Sequence, residues 1–386
     1  RDRLRSRGLG DVYKRQVKKH LKLFFTNIDR TVLDSFSHAD IGPKATRAGY
    51  LILEVQAELE NAIPNISMKY DPEITDNDFA LACVKCALKT AKPSFANHQM
   101  FKNELGENYV IASCYNGLLL GGGAYTLCRL ILGHIAERSE GIEDFEKNKL
   151  PYVMDVMAKY MDARIAFEVE QSGFFEANFL AKEGLIHRDR FTGMFGLVGL
   201  ADAVNILMTK EGRNDRFGHS DAATQLGVEI MDIINDFNNN HFNKYCEGTG
   251  GHFLLHAQVG IAEDKGIAPG TRIPIGEEPD ELVDHLDVIS HFHKYFVSGT
   301  GDIFPMDLTV HKNPEYVLDI IKGSWQKGIR YLSFYSSESD VIRITGYLVK
   351  RSEIEKYEQG IAVLQNTTQL GTGAKHNGKI LERKVR

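Results

Sequence analysis

Val341-Ile342-Arg343-Ile344-Thr345-Gly346-Tyr347-Leu348-Val349 is the stretch on which the reading of this chain turns. All but Gly346 and Arg343 favour an extended strand. A glycine inside a strand weakens it and marks a bulge or a close backbone approach. The following Ser352-Glu353-Ile354-Glu355 reads as a capping box that opens a helix. The spacing therefore puts one glycine in a buried turn between strand and helix, where a packing role is the commonest explanation.

Outward from it, the pattern alternates helices with shorter strands. Apolar spacing predicts helices over Val17–Phe36, Ala45–Asn61, Thr75–Ala91, Pro151–Leu180, Gly196–Thr209, Asp221–Phe242 and Asn313–Gly328, and one ending near Arg138 after Gly121–Gly123. Strands are expected at Ile66–Tyr70, Tyr109–Cys114, Phe253–Gln258, Tyr331–Tyr335 and Val341–Val349. This order argues an α/β fold. The Gly/Pro-rich stretch Lys265–Pro279 is the expected boundary before a C-terminal region.

Bulk numbers narrow the function classes. The 386 residues are 43% hydrophobic and 25% charged, as in ordinary globular proteins. The formal charge of −6 gives no footprint for nucleic acid. No stretch has the apolar length of a membrane helix. Five cysteines in this length suit a reducing cytoplasm rather than a disulfide scaffold. Residues 1–16 carry six positive and two negative charges and resemble read-through of a sequencing adapter, so they are set aside as a non-native tail. The remaining 370 carry 40 positive and 50 negative charges.

Two segments point to a shared chemistry. Arg343-Ile344-Thr345-Gly346-Tyr347 resembles the Arg-Val-x-Gly-Tyr signature of glycyl radical enzymes, and Tyr109-Val110-Ile111-Ala112-Ser113-Cys114 resembles their cysteine finger loop. Glycine suits radical storage because, lacking a Cβ, its α-carbon flattens and shares spin with the flanking amide and carbonyl. Ala268–Gly276 resembles the Pro-x-Gly-Arg-rich loop before the glycyl domain, and Met194–Ala203 a barrel helix. The chain from Val17 is similar to the YjjI family of these enzymes. Further carriers are Asp29-Arg30-Thr31, His38–Pro43, Tyr70–Thr75, Lys182–Ile186, Leu255–Gln258 and Glu278-Pro279-Asp280.

The resemblance implies a ten-stranded β/α barrel, partly truncated at its N-terminus, over 17–300, with a glycyl radical domain over 301–386. It implies a radical stored on Gly346 and a thiyl on Cys114 that abstracts hydrogen from a small substrate. A separate activating enzyme, using S-adenosylmethionine and an iron–sulfur cluster, would install the radical; homodimers and a cytoplasmic, anaerobic setting are further expectations. Departures exclude some chemistries. Formate-lyase-type members use two adjacent cysteines, but Ser113 precedes Cys114. Dehydratase-type members place a glutamate two residues after the cysteine; here stands Asn116, which titrates no proton. No cysteine follows Cys246, so the four-cysteine zinc site of anaerobic ribonucleotide reductases is missing and no bound metal is expected. Cys83 and Cys86 are read as two core-facing thiols.

Substrate-contact candidates are Asn116, His38 and Asp40 in a loop after a helix, Asn97 and His98 in another loop, His256 and Gln258 on one strand face, and Arg272, whose fork suits a carboxylate or phosphate. His291 and His293 are expected at the surface. Two other readings stay open: a non-catalytic radical carrier or repair partner, and a plain α/β binding protein with a structural Gly346.

Overall fold

The computed structural model describes residues 2–31, 36–112, 115–257, 265–365 and 367–386. Its strands are β1 (His38–Ile41), β2 (Asn65–Tyr70), β3 (Ser94–Asn97), β4 (Tyr109–Ala112), β5 (Asn116–Leu119), β6 (Gly123–Ile131), β7 (Phe191–Val198), β8 (Leu254–Ala257), β9 (Asp302–Met306), β10 (Tyr331–Ser336), β11 (Val341–Arg343) and β12 (Leu348–Lys350). Among the described residues they hydrogen-bond into a five-stranded sheet ordered β1-β2-β3-β10-β9, a three-stranded sheet β6-β7-β8, and two hairpins, β4-β5 and β11-β12. β1, β2 and β3 run parallel, β10 is antiparallel to β3 and parallel to β9, and β6, β7 and β8 are parallel. This is the expected α/β class. These ladders form two open sheets, with no closed ten-stranded ring among the described residues.

The five-stranded sheet has two unlike faces, and the sequence says why. Asn65-Ile66-Ser67-Met68-Lys69-Tyr70 alternates polar and apolar residues, and successive strand side chains point to opposite faces. Ile66, Met68 and Tyr70 join Phe95, Leu332, Phe334, Phe304 and Met306 in one core with Phe79, Val84, Val317 and Ile321 of the helices Asn77–Thr90 and Pro314–Gln326. Each such fully buried aliphatic or aromatic side chain contributes roughly 1.5–3 kcal/mol. Cys83 and Cys86 are buried in this core. By strand register the opposite face carries His38, Asp40, Asn65, Ser67, Lys69, Ser94 and Tyr331. The polar face points at the two hairpins, and that sidedness places the site.

Several boundaries differ from the sequence reading, each for a physical reason. Phe191–Val198 is a strand, buried at every position, and the helix after it is Leu200–Lys210 rather than Gly196–Thr209. A strand covered on both faces loses its polar alternation, so its apolar run imitates a buried helix. Gly123–Ile131 is likewise strand, with a short helix, Leu132–Glu137, after it. The helix from Leu150 ends at Glu170. The first helix runs Asp2–Arg30, and Lys14 and Lys18 pair with Glu54 at 3.4 and 3.2 Å. Residues 301–340, grouped by sequence with the C-terminal unit, supply β9 and β10 to the sheet of β1–β3. The Lys265–Pro279 stretch is packed rather than linker-like, burying Ala268, Thr271, Arg272 and Ile273. The expected capping box does not form: the helix Arg351–Glu358 has no side-chain cap, because Ser352 bonds Asp340 with both its N–H (2.9 Å) and its hydroxyl (2.8 Å). No helix among the described residues is long and apolar enough to cross a membrane.

Candidate functional site

Gly346 stands at the tip of a hairpin, not within one strand. β11 and β12 pair through Val341–Lys350, Ile342–Val349 and Arg343–Leu348, and the Ile344 N–H closes the tip on the Tyr347 carbonyl at 3.0 Å. Every residue from Val341 to Val349 is buried. The apolar ones, Val341, Ile342, Ile344, Tyr347, Leu348 and Val349, pack with Ile63, Ile303, Tyr335, Ile354, Ala374 and Ile380. Four successive carbonyls around the tip are each held by a side chain. Arg383 donates to the carbonyls of Arg343 (2.7 Å) and Ile344 (2.6 Å). The Thr345 carbonyl accepts from Tyr115 Oη at 2.6 Å and from Arg343 Nη1 at 3.3 Å. The Gly346 carbonyl accepts from Asn65 Nδ2 at 2.9 Å, and Asn65 Oδ1 accepts from Arg343 Nη2 at 2.6 Å. The guanidinium donors Arg383 and Arg343 make stronger bonds than neutral ones, and the neutral Tyr115 and Asn65 hold the two carbonyls that flank the Gly346 α-carbon. A cleft of about 240 Å³ flanks the hairpin, lined by Ile344, Thr345, Asp202, Ala268, Asn377 and Arg383 among others.

The second hairpin, β4-β5, comes from the other side. Ser113 and Cys114 lie outside the described residues. Their neighbour Tyr115 is described and buried, with a φ of +69° that a tyrosine rarely adopts. Its ring lies 4.6 Å from that of Tyr331, and its hydroxyl receives Arg272 Nη2 at 3.1 Å while donating to Thr345. Gly117 N–H bonds the Ser298 carbonyl at 2.8 Å. The residue after Cys114 thus touches the residue before Gly346.

The candidates divide into those that meet this junction and those that do not. His38 and Asp40 lie in β1, not in a loop. His38 Nε2 is 3.0 Å from Ser67 Oγ, which is 2.6 Å from Tyr331 Oη. Burial, with Arg343 nearby, lowers the His38 pKa to about 3, so the ring is neutral. Asp40 Oδ2 accepts from the Ile111 N–H of β4 at 2.9 Å, and burial pushes its pKa up to about 6 against that bond and Lys69. Asn116 opens β5 opposite Ala112. Arg272 donates from Nε to the Gly301 carbonyl at 2.6 Å as well as to Tyr115, so its fork is engaged by the protein. Asn97 ends β3 and caps the next helix, accepting from Met100 N at 3.4 Å and donating to the Ile329 carbonyl at 3.1 Å. His98, the first residue of that helix, bonds Tyr109 Oη at 2.9 Å and supports the finger from outside. His256 lies in β8, its Nδ1 3.4 Å from Ser298 Oγ, with its pKa lowered to about 4 by burial. Gln258 lies outside the described residues. His293, expected at the surface, is buried and accepts from Arg330 N at 2.9 Å.

Sequence reasoning missed Asn65, Ser67, Tyr115, Tyr331 and Arg383, and passed Arg343 over as an exception in a strand. The usable signal was the polar member of each alternating pair in β2, on a strand too central to have a wet face.

A model of the family described as "Glycyl radical enzyme YjjI-like" matches residues 5–386. The chain belongs to this family. Two relatives are an uncharacterised protein of Haemophilus influenzae, 46% identical over 369 residues that span 95% of this chain and 72% of that one, and the uncharacterised protein YjjI of Escherichia coli, 41% identical over 374 residues that span 96% and 71%. Among solved structures, a glycyl radical enzyme from Archaeoglobus fulgidus matches with a TM-score of 0.67 at 12% identity, over 90% of this chain and 58% of that one. The anaerobic ribonucleotide reductase from Thermotoga maritima in complex with dATP and CTP matches at 0.70 and 14%, over 91% and 69%. At such identities the likeness is one of fold: this chain shares the α/β fold of glycyl radical enzymes, whose barrel its two open sheets resemble in part, and spans less than two thirds of the archaeal one.

Proposed function

We propose that this YjjI-like chain is a glycyl radical enzyme in which Gly346 stores the unpaired electron and Cys114 relays it to a small organic substrate. One observation carries the reading: Tyr115, next to Cys114, donates its hydroxyl to the carbonyl of Thr345, next to Gly346, at 2.6 Å. The thiol S–H and glycyl C–H bonds are of similar strength, so a hydrogen atom passes between them in either direction with little cost. A buried hairpin with its carbonyls all engaged keeps water and oxygen from the radical. The radical carries the chemistry, while the protein orients the substrate and excludes solvent. Ser113 in place of a second cysteine and Asn116 in place of a glutamate set the reaction apart from formate-lyase and dehydratase types. The partners are an activating enzyme, which uses S-adenosylmethionine and an iron–sulfur cluster to take a hydrogen atom from Gly346, and a second copy of the chain in a cytoplasmic homodimer.

Anaerobic activation followed by electron paramagnetic resonance tests this. The wild type gives a glycyl doublet, and Gly346→Ala gives none; a full-strength doublet in that variant removes Gly346 from the reading. Air then cuts the activated chain at Gly346 and releases a fragment of about 41 residues, Gly346 to Arg386. In deuterated water, exchange through the Cys114 thiol carries deuterium into Gly346 and collapses the doublet. Cys114→Ser keeps the doublet and stops the collapse; collapse at the wild-type rate would take Cys114 out of the relay.

A further inference from the structure

The glycine hairpin is held by two guanidinium groups that have no carboxylate partner among the described residues. Arg343 is wholly buried and Arg383 is 7% exposed. Their bonds go to uncharged oxygens: Arg343 to Asn65 Oδ1 and the Thr345 carbonyl, Arg383 to the carbonyls of Arg343 and Ile344. Arg343 Nε is buried with no hydrogen-bond partner. Burying a charge without a counter-ion is expensive. Packing alone would be served at less cost by an apolar side chain, as at the other positions of the Val341–Arg343 strand.

Asn65 links that charge to the glycine. The network fixes the orientation of its amide. Oδ1 faces Arg343 Nη2 at 2.6 Å, where only an acceptor fits, so Nδ2 is the group that donates to the Gly346 carbonyl at 2.9 Å. The guanidinium draws electrons toward Oδ1, and an amide polarised in this way donates more strongly from its nitrogen, since bonds in a chain reinforce one another. Asn65 is buried and opens β2, between β1 and β3 of the sheet, so the donor is mounted on a strand rather than on the hairpin it holds. On the other side of the glycine, the Thr345 carbonyl receives the neutral Tyr115 hydroxyl at 2.6 Å and Arg343 Nη1 at a longer 3.3 Å. The two flanking carbonyls act differently on a radical between them. The Gly346 carbonyl withdraws electron density from the α-carbon, while the Gly346 nitrogen feeds it with a lone pair for which the Thr345 carbonyl competes. A donor on the Gly346 carbonyl therefore stabilises the radical, and a donor on the Thr345 carbonyl works against it.

We infer that Arg343 and Asn65 form a relay of positive charge that polarises the Gly346 carbonyl, lowering the energy of the radical stored on the adjacent α-carbon and drawing part of its spin onto the carbonyl oxygen. This rests on the proposed storage of the radical at Gly346. There the α-carbon C–H bond breaks homolytically, the hydrogen atom passes to the activating enzyme, and one unpaired electron stays on the chain. The relay itself moves no proton and no electron. Asn65 and Arg343 act through the carbonyl and are positioning residues. The relay gives a use to an arginine in the middle of a buried apolar hairpin and to a buried asparagine on an inner strand.

The test uses the full chain, activated without oxygen and read by pulsed electron paramagnetic resonance. Glycine labelled with oxygen-17 in its carboxyl group reports spin on the carbonyl oxygen, because among the glycines only the one bearing the radical couples strongly. Asparagine labelled with nitrogen-15 in its side chain reports the donor across the hydrogen bond. The wild type should show both couplings. Asn65→Leu, close in shape but without a donor, should widen the glycyl doublet and lower the oxygen-17 coupling; Arg343→Gln should shift both the same way by less. Arg383→Met loosens the same hairpin without removing a bond from the Gly346 carbonyl. Its doublet and oxygen-17 coupling should stay at wild-type values while its urea midpoint falls. A wild type that lacks the nitrogen-15 coupling overturns the inference, and decides it even if Asn65→Leu fails to fold. So does an Asn65→Leu or Arg343→Gln doublet identical to that of the wild type, or a shift in Arg383→Met as large as that in Asn65→Leu. No doublet in the wild type, or a full-strength one in Gly346→Ala, is instead a failure of the Gly346 reading, and the inference falls with it.

Discussion

The tips of the two hairpins that meet inside this chain are held differently. The glycine hairpin is gripped from outside by long side chains: Arg383, Arg343, Asn65 and Tyr115 bond the carbonyls of residues 343–346. The finger hairpin has side-chain bonds on β4, from Asp40 to Ile111 N and from Lys69 to the Tyr109 carbonyl, but its tip is seated backbone to backbone, with Gly117 N on the Ser298 carbonyl and Gly299 so close that a Cβ there would lie 2.0 Å from the Tyr115 carbonyl oxygen. Gripped carbonyls fix the peptide groups that flank Gly346, as the proposed radical store needs. Backbone seating fixes the position of the finger. One hairpin holds its glycine through side chains around it, and the other uses glycines for where they let the chain go.

Gly299 offers the largest break in that comparison. Its φ of +133° is one that side-chain-bearing residues rarely adopt, and the atoms in the way of a Cβ are backbone, which cannot rotate aside. Gly299→Ala should destabilise the protein by about 2–4 kcal/mol, read as a lower urea midpoint. Hydrogen exchange should rise across Tyr109–Leu119 before it rises across Val341–Lys350. Equal loosening of both hairpins would show that they form one unit rather than two.

The grips also differ in what titrates. Guanidinium groups stay charged across the whole folded range, but the finger strand leans on Asp40 through Ile111. The groups facing Asp40 are His38, Lys69 and Tyr109, and only burial raises its pKa, from 3.8 to about 6. The folded chain therefore binds the Asp40 proton more tightly than the unfolded chain does. Stability from this group is fully present below about pH 4 and is lost as pH rises through about 6, by up to about 3 kcal/mol. Subtracting the urea midpoints of Asp40→Asn from those of the wild type across that range isolates it. A flat or rising difference would mean that Asp40 is better solvated than its position implies.

How much of this was legible beforehand follows the same division. The Arg343–Tyr347 signature and the Tyr109–Cys114 segment marked both places, though as single strands rather than hairpins, because the family resemblance is carried by particular residues in a fixed local order. His38 and Asp40 were found as polar residues in a Gly/Pro context, although they turned out to lie on a strand. What stayed hidden was long-range. Asn65 reaches Gly346 across 281 positions, Tyr115 reaches Thr345 across 230, and nothing local in either segment announces the partner. β7 was read as helix because burial on both faces had erased its alternation. Arg383 looked like one more basic residue near the end of the chain; only the fold brings it under the Arg343 and Ile344 carbonyls.

The smallest expected effects measure how the two hairpins speak to each other. Arg383→Met removes two charge-assisted bonds from the glycine hairpin and should cost about 2 kcal/mol, with faster hydrogen exchange at Ile344 and Thr345. Tyr115→Phe removes one hydroxyl that both donates to Thr345 and receives Arg272, and should cost about 1 kcal/mol. The Thr345 carbonyl then keeps only the longer bond from Arg343, at 3.3 Å. If Tyr115 is the strut between hairpins, its loss frees the tip that Arg383 also restrains, so the double variant should depart from additivity by about 0.5–1 kcal/mol. Strict additivity would mean that the grip of Arg383 and the strut of Tyr115 act on separate parts of the tip. In that case the finger can move without disturbing the backbone beside Gly346, and the Tyr115 hydroxyl serves chiefly to hold Arg272.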